Sequence, residues 1–304
     1  MRLGIDLGGT KIEIISLAQD GRELLRRRVA TPQGDYQSIL QMISSCVKTI
    51  EDELGQTGTV GVCTPGAISP ASGLLKNSNS VCLNGRSIKT DLESELGRAV
   101  RIANDANCFA LSEATDGAAK GADVVFGAII GTGVGGGLVV HGRVLAGPNA
   151  IAGEWGHNPL PWPRDDESPG PLCYCARHGC IETFLSGPGL ARDHRRLTGQ
   201  ELTTHEIVAR AAGGNVEAEA SLRCYEDRMA RGLAHVINIL DPSVIVLGGG
   251  MSNLKRLYDN VPKTWSQYVF SDRVDTRLAL PKFGDSSGVR GAAWLWGEPQ
   301  PNVR

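Results

Sequence analysis

Two glycine-rich turns, each set between apolar segments, constrain this chain more than any other feature. Residues 4–11 read GIDLGGTK and residues 128–137 read AIIGTGVGGG, and a further apolar run follows each turn. Backbone N–H groups in such turns can approach an anion, because glycine has no Cβ to obstruct it. Glycine clusters also form ordinary hairpin turns, so either turn alone supports both interpretations. The pairing, with the polar Asp6 inside an apolar strand, favours a nucleotide clamp.

Size and charge exclude several classes of protein. The 304 residues are 41% hydrophobic and 21% charged, which is enough for a large core and for two domains. A net charge of −2 leaves no basic surface for nucleic acid. No apolar run reaches the length of a membrane span, and the first strand follows Met1 directly, so we expect a cytoplasmic protein without a signal peptide. The eight cysteines are too sparse for a disulfide scaffold and are expected as core residues or metal ligands.

Local patterns predict helices that alternate with strands. Apolar residues at helical spacing follow Asp35, a candidate N-cap, and the helix that they predict ends at Gly55. Thr90 and Glu93 form a capping-box pattern before a short helix that ends at Gly97. This alternation indicates an α/β protein.

The second half of the chain repeats this plan. A long helix is predicted at residues 216–240 and stops at Asp241, and a strand at residues 244–247 leads into the glycines at 248–250. Small residues between 116 and 122 separate the two halves. We therefore place a domain boundary there.

A cysteine cluster follows a proline-rich loop. Cys173, Cys175 and Cys180 lie within eight residues, and His157 precedes the loop. These are the ligand types of a closed Cys3His zinc site, which would hold a loop that has no core of its own. His178 is an alternative fourth ligand, although its place inside the short cysteine loop makes the same metal harder to reach. A cluster of packed, redox-indifferent cysteines is the other interpretation.

A second group of polar residues comprises Asn104, Asp105, Glu154, His157 and Glu182. Asp105 stands where a predicted strand gives way to a helix, a position at which active-site groups of α/β proteins collect. The helix N-terminus would keep its carboxylate ionised and ready to accept a hydroxyl proton. The alternatives are that Asp105 is a helix N-cap and that the two glutamates are surface carboxylates.

These motifs together resemble the ROK family of bacterial sugar kinases, and within it the chain is similar to bacterial fructokinases, also called manno(fructo)kinases. The resemblance implies an α/β, two-domain actin-like ATPase (ribonuclease-H-like) fold with an interdomain cleft, and ATP, magnesium and usually a homodimer. The domains would be 1–117 and 118–288, with the zinc loop at 153–182 in the second and the C-terminal helix 289–304 as a candidate to complete the first. The motifs are residues 6–11, 104–107, 131–137, 153–157, 173–182, 247–250 and 284–291.

The resemblance also implies roles for individual residues. Asp105 would be the catalytic base, and Asn104, Glu154, His157 and Glu182 would hold sugar hydroxyls. Zinc would be bound by His157, Cys173, Cys175 and Cys180, and Asp6 would help to place magnesium. The implied ATP-binding residues are Asp6, Gly8, Gly9, Thr10, Lys11, Gly131, Thr132, Gly133, Gly248, Gly249 and Gly250.

One residue departs from the family pattern. The family usually has glycine after the second cysteine of the zinc loop, whereas this chain has Ala176. If that position requires a positive φ, alanine costs roughly 1 kcal/mol there and strains the zinc loop without abolishing it.

The reaction that follows from the resemblance is transfer of the γ-phosphoryl group of MgATP to the 6-hydroxyl of fructose, and mannose is the further hexose considered. Kinases of the same family that act on glucose, N-acetylglucosamine or N-acetylmannosamine share these motifs and stay open as alternatives. A ROK repressor would need a DNA-binding domain before Asp6, where the sequence leaves no room for one. A chaperone-like or filament-forming ATPase would not need the hydroxyl-binding group of Glu154, His157 and Glu182.

Overall fold

The computed structural model describes residues 1–78 and 80–297, which contain twelve strands and nine α-helices. The strands are β1 (Arg2–Leu7), β2 (Lys11–Leu17), β3 (Glu23–Ala30), β4 (Thr59–Thr64), β5 (Ala67–Ile68), β6 (Leu75–Lys76), β7 (Val100–Asn104), β8 (Val124–Ile130), β9 (Val134–Val140), β10 (Arg143–Val144), β11 (Val244–Gly248) and β12 (Arg277–Ala279). The helices are α1 (Tyr36–Leu54), α2 (Ile88–Leu96), α3 (Asp105–Thr115), α4 (Ile181–Leu185), α5 (Gly187–Thr198), α6 (Thr204–Ala212), α7 (Val216–Leu240), α8 (Arg256–Trp265) and α9 (Ser287–Trp294).

The strands form two five-stranded sheets and a small hairpin of β5 and β6. The first sheet has the order β3-β2-β1-β4-β7, in which β1 pairs antiparallel with β2 and parallel with β4. The second has the order β10-β9-β8-β11-β12, and β11 pairs in parallel with both β8 and β12. The first glycine-rich turn joins the neighbouring strands β1 and β2, and the second joins the neighbouring strands β8 and β9.

The chain forms two compact units. Of the described residues, the first comprises Met1–Gly121, Gly137–Ala152 and residues 282–297, and the second comprises Ala122–Gly136 and Gly153–Pro281. The domain division predicted from the sequence places residues 137–152 in the second domain, whereas the structure places them in the first unit. A Cβ on Gly137 would lie 2.2 Å from the Ala106 carbonyl oxygen, so this strand lies directly on α3. No helix in the described ranges is both long and apolar enough to cross a bilayer.

The C-terminal helix α9 belongs to the first unit. Its backbone lies so close to the first sheet that a Cβ on Gly4 would stand 2.1 Å from the Val289 carbonyl oxygen. Glycine is therefore required at this point of β1. The predicted helix at 289–304 ends at Trp294, and residues 298–304 of that prediction lie outside the described residues.

The limits of α1 agree with the sequence prediction, and the start of α2 does not. The Asp35 carboxylate accepts a hydrogen bond from Ser38 N–H, and Gly55 ends α1 with a φ of 61°, so both ends of this helix are confirmed. The capping box at Thr90 is wrong, because α2 begins at Ile88. The Glu93 carboxylate instead accepts a hydrogen bond from Val100 N–H at 3.1 Å, which joins the helix to the next strand.

The proline-rich loop has a buried ionic anchor. Glu167 is 3% exposed, and its carboxylate accepts hydrogen bonds from Arg228 at 2.7 Å and from Arg231 at 2.8 Å, both on α7. Burial by itself would raise the pKa of Glu167, but hydrogen bonds from Arg231, the Arg164 backbone and Arg228 lower it to about 2. The carboxylate is therefore charged and paired at neutral pH, and it fixes the loop to α7 independently of any metal.

Candidate functional site

The first glycine turn joins β1 to β2. Gly8 N–H donates to the Lys11 carbonyl oxygen at 3.0 Å, and the Thr31 hydroxyl donates to the Gly8 carbonyl oxygen at 2.7 Å. These bonds fix the turn, and Gly9, Thr10 and Lys11 stay exposed. A cavity of about 630 Å³ in the same unit is lined by Gly8, Gly9 and Thr10. The turn thus presents its backbone to an open space that a phosphate group can enter.

Asn104 and Asp105 occupy the junction of β7 and α3, as predicted from the sequence. Asn104 is the N-cap of α3, because its side-chain oxygen accepts a hydrogen bond from Asn107 N–H at 2.8 Å. Asp105 is the first helical residue, and its carboxylate accepts from Ala106 N–H at 2.8 Å. The capping role that was the alternative for Asp105 is therefore filled by Asn104.

Two carboxylates of this unit, Asp105 and Asp6, have raised pKa values. The Asp105 side chain is accessible to solvent. The surrounding protein nevertheless removes part of its hydration, and this loss raises the pKa of Asp105. The hydrogen bond from Ala106 N–H lowers the pKa by a smaller amount. Burial also raises the pKa of Asp6, the Cys63 thiol opposes this by a hydrogen bond, and the charges of Asp105 and Glu13 raise it further. The charge of Asp105 therefore acts unfavourably on the Asp6 carboxylate, and a divalent cation at Asp6 would relieve this effect.

The second glycine turn joins β8 to β9. Gly131 N–H donates to the Gly133 carbonyl oxygen at 2.9 Å. A Cβ on Gly131 would lie 3.9 Å from Cα of Gly249, so this turn and residues 248–250 are neighbours. A Cβ on Gly249 would lie 2.5 Å from the Ile130 carbonyl oxygen, and Gly249 has a φ of 79°. Glycine is required there for both reasons.

Glu182 connects the second turn to the predicted sugar-binding residues. Its carboxylate oxygen Oε2 accepts a hydrogen bond from Val134 N–H at 2.9 Å, directly after the turn. No sequence pattern indicates this contact, since 48 residues separate the two partners.

Because Glu182 lies at this turn, a side chain at position 133 would affect the carboxylate as well as the turn. A Cβ on Gly133 would lie 2.8 Å from Oε2 of Glu182, so Gly133→Val is expected to displace that carboxylate as well as to obstruct the turn. We expect the affinities for ATP and for sugar both to fall at least about tenfold, because each Å of displacement breaks hydrogen bonds of this kind. Calorimetric titration of each ligand checks this, with Gly213→Val at the end of α6 as the control. Normal binding of both ligands would remove the turn from the site.

The four predicted metal ligands converge in the second unit. Their candidate ligand atoms all lie within 4.8 Å of one another, with one nitrogen from His157 and one sulfur each from Cys173, Cys175 and Cys180. The Cys173 sulfur lies 3.6 Å from Nδ1 of His157, and the Cys175 and Cys180 sulfurs are 3.6 Å apart. Ligand atoms around a tetrahedral zinc ion are separated by about 3.5–3.8 Å, so this donor set fits that ion.

The alternative ligand His178 lies outside the cluster. Its Nδ1 is 3.1 Å from the Gly170 carbonyl oxygen, and its side chain is exposed.

Within the cluster, burial raises the pKa of the Cys180 thiol to about 12, and the neighbouring Cys175 and Cys173 thiols raise it too. A bound cation of suitable softness would hold such a thiol as the thiolate.

Ala176 has the backbone conformation in which alanine is strained. Its φ is 66°, in the left-handed region. Ala176→Gly is therefore expected to raise the free energy of unfolding of the protein by about 1 kcal/mol and to slow the loss of zinc to a chelator. Chemical denaturation measures the first effect. The same change in a helix, Ala209→Gly in α6, is the control and should destabilise by up to about 1 kcal/mol. If Ala176→Gly lowered the free energy of unfolding as much as Ala209→Gly does, the inference that Ala176 is strained would be wrong.

The second ring nitrogen of His157 has a partner that sequence reasoning missed. Nε2 lies 2.8 Å from the Tyr174 hydroxyl, and the two rings meet edge to face with centroids 5.0 Å apart. Partial burial and then the charges of Glu182, Cys173 and Glu154 raise the pKa of Tyr174, so this phenol lies near the predicted sugar-binding carboxylates. The position of Tyr174 between two predicted metal ligands was the signal that could have singled it out.

The structure thus brings the candidate residues together in two sets, one in each unit. The first unit holds Asp6, Asn104, Asp105 and the turn at residues 8–11. The second holds the cysteine cluster with His157 and Glu182, the turn at residues 131–133 and the glycines at 248–250. Glu154 is exposed at the start of a short 3-10 turn that contains His157.

Comparison with known proteins adds independent findings. Residues 2–298 match the ROK family. The N-acetyl-D-glucosamine kinase of Photobacterium profundum is 39% identical over 299 residues, which cover 97% of this chain and 99% of that protein. The enzyme of the same name from Vibrio cholerae serotype O1 is 38% identical over the same shares.

Solved structures resemble this one over nearly its full length. A ROK hexokinase from Thermus thermophilus superimposes with a TM-score of 0.87 at 30% identity and covers 97% of each chain. A ROK glucokinase from Streptomyces griseus in complex with glucose and AMPPNP gives a TM-score of 0.74 at 27% identity, with 97% of this chain and 98% of that one covered. The expected α/β actin-like ATPase (ribonuclease-H-like) fold is confirmed. The motifs, the fold and these relatives together show that the chain belongs to the ROK family.

Proposed function

We propose that this protein is an ATP-dependent kinase that transfers the γ-phosphoryl group of ATP to the primary 6-hydroxyl of N-acetyl-D-glucosamine. The observation that carries the choice of sugar is the similarity, at 37–39% identity over 97% of the chain, to relatives named N-acetyl-D-glucosamine kinases. The sequence alone favours fructose, with mannose as a further substrate. Those relatives favour instead the N-acetylhexosamine alternative.

The phosphates of ATP would lie against the glycine turns. Residues 8–11 present exposed backbone beside a cavity, and residues 131–133 lie next to residues 248–250. Backbone N–H groups of such turns bind phosphate oxygens without a bulky side chain in the way. Gly248, Gly249 and Gly250 would lie against the adenosine.

Asp105 would orient the sugar hydroxyl and accept its proton. Its carboxylate is open to solvent, and its pKa is raised towards the pH at which the reaction runs, which improves a general base. Asp6 is the carboxylate that would help to hold magnesium, and its repulsion with Asp105 supports this role. Magnesium neutralises phosphate charge during phosphoryl transfer.

The sugar would be held by Asn104, Glu154, His157 and Glu182. A zinc ion bound by His157, Cys173, Cys175 and Cys180 would keep the backbones of Glu154 and Glu182 in place, since both residues flank a ligand in sequence. Because phosphoryl transfer needs positioning more than covalent chemistry, a fixed group of hydroxyl-binding residues is the main contribution of this unit. The homodimer implied by the family resemblance is part of this proposal.

A coupled assay of ATP consumption tests the proposal across N-acetylglucosamine, N-acetylmannosamine, glucose, fructose and mannose. We expect kcat/KM for N-acetylglucosamine to exceed that for every other sugar at least about tenfold, a discrimination of about 1.4 kcal/mol. The Asp105→Asn protein, purified identically, controls for contaminating kinases. A preference for fructose would return the function to fructokinase. Sugar binding without phosphorylation would indicate a sugar-sensing ROK protein.

A further inference from the structure

Tyr174 stands at the point where the metal cluster meets the predicted sugar-binding residues. Its backbone is fixed on both sides, because Cys173 and Cys175 belong to the cluster. Its side chain is 82% exposed, which is unusual for an aromatic residue, and yet its hydroxyl is held 2.8 Å from Nε2 of His157. An ordered phenol in open space therefore lies beside this histidine.

The chemistry of the imidazole limits what else His157 can bind. Nδ1 faces the Cys173 sulfur at 3.6 Å, so it is committed to the cluster. Nε2 offers a single hydrogen or a single lone pair and therefore forms one hydrogen bond at a time. In this structure that bond is made with Tyr174. A direct bond from a sugar hydroxyl to Nε2 would require Tyr174 to leave.

The phenol can serve both partners without leaving. A tyrosine hydroxyl has one hydrogen to donate and two lone pairs to accept, so the bond to Nε2 uses only part of its capacity. Glu154 begins the short 3-10 turn that contains His157, so the phenol bound to His157 lies beside two of the proposed sugar-binding residues. The exposed ring also offers an apolar face of the kind that packs on sugar rings.

We propose, resting on the sugar-kinase function above, that Tyr174 is a substrate-binding residue: its hydroxyl, held at Nε2 of His157, makes a hydrogen bond to a sugar hydroxyl. This refines the role proposed above for His157, which would contribute to sugar binding by holding the Tyr174 hydroxyl in place. The metal cluster positions this phenol by fixing the two cysteines beside it.

Tyr174→Phe tests the proposal, because it removes the hydroxyl and keeps the ring. We expect KM and Kd for the preferred sugar to rise about fivefold, the factor that one neutral hydrogen bond contributes. The kcat, the KM for ATP and the zinc content should each stay within about twofold of wild type. Tyr268→Phe is the matched control, since its hydroxyl donates to Asp227 at 3.2 Å, outside the candidate site.

Other outcomes overturn the proposal. An unchanged KM would show that the hydroxyl does not contact sugar, and a lower KM would show that it competes with sugar for Nε2. A fall in zinc content that accompanies the change in KM would mean a structural role only. Calorimetry of sugar binding without ATP separates this inference from the proposed function: a wild-type protein that binds sugar without phosphorylating it fails as a kinase, while the ratio of the two Kd values still decides the role of Tyr174. A wild-type protein that binds no sugar in the panel overturns both.

Discussion

Replacement of Asp105 by alanine is expected to lower kcat at least about 100-fold, the smaller end of what a general base contributes. The structure supports this expectation because Asn104 caps α3 and leaves Asp105 without a capping duty. The Asp105→Ala variant should therefore lose the rate of the chemical step and keep α3 intact. Steady-state kinetics with the preferred sugar measures the effect, and calorimetry should show nucleotide affinity within a fewfold of wild type.

Asp105→Asn is the matched variant, because it keeps the shape and removes the charge. The folded protein raises the pKa of Asp105 above its value in the unfolded chain. As the pH rises past the unfolded-state pKa, ionisation of this group therefore lowers the free energy of unfolding. The asparagine variant should accordingly be no less stable than wild type at pH 7. In the wild type, kcat should fall as the pH drops through a pKa above the ordinary aspartate value of about 3.9. Activity comparable to wild type in either variant would leave Asp105 as a structural residue.

Cys175→Ser should reduce bound zinc from about one equivalent per chain to less than about half, because a closed site needs all four ligands. The apparent KM for sugar should rise and the Tm should fall, since Glu154 and Glu182 lie within three residues of the proposed zinc ligands His157 and Cys180. The fold should persist, because Glu167 still binds Arg228 and Arg231 and the main cores lie elsewhere. The KM for ATP should rise by a smaller factor than the KM for sugar, because Glu182 also accepts a hydrogen bond from Val134 N–H at the second glycine turn.

Elemental analysis and kinetics decide this prediction. Cys46→Ser is the control, as Cys46 is a free cysteine on α1 in the other unit. A wild-type protein with less than half an equivalent of zinc, full activity and no response to prolonged chelation would show that the three cysteines are packed side chains. His157 would then serve the sugar site alone.

Features that depend on neighbours along the chain could be predicted from the sequence. Asp35 and Gly55 define α1 because capping and the left-handed conformation are local properties. The glycine turns and the cysteine cluster were found for the same reason, since their spacing is short. The capping box at Thr90 failed because the helix begins at Ile88, three residues before the start that an N-cap at Thr90 predicts, and because Glu93 has a tertiary partner.

Contacts between distant segments could not be predicted. The bond from Val134 N–H to Glu182 joins residues 48 positions apart, and the pairing of Glu167 with Arg231 spans 64. No periodicity or motif marks such pairs, because tertiary packing alone brings them together. The preferred sugar also could not be predicted from the sequence motifs. Kinases for different hexoses share the catalytic motifs, and the difference lies in contacts that the motifs do not contain.

The hydrogen bond between Val134 and Glu182 has a thermodynamic consequence. One carboxylate is shared by the nucleotide turn and the sugar-binding group, so a ligand that orders one of them also orders the other. Under the proposed roles, each substrate strengthens the binding of its co-substrate, and the factor must be the same in both directions because linkage is reciprocal. Cooperativity between ATP and sugar would thus reside in a single backbone amide.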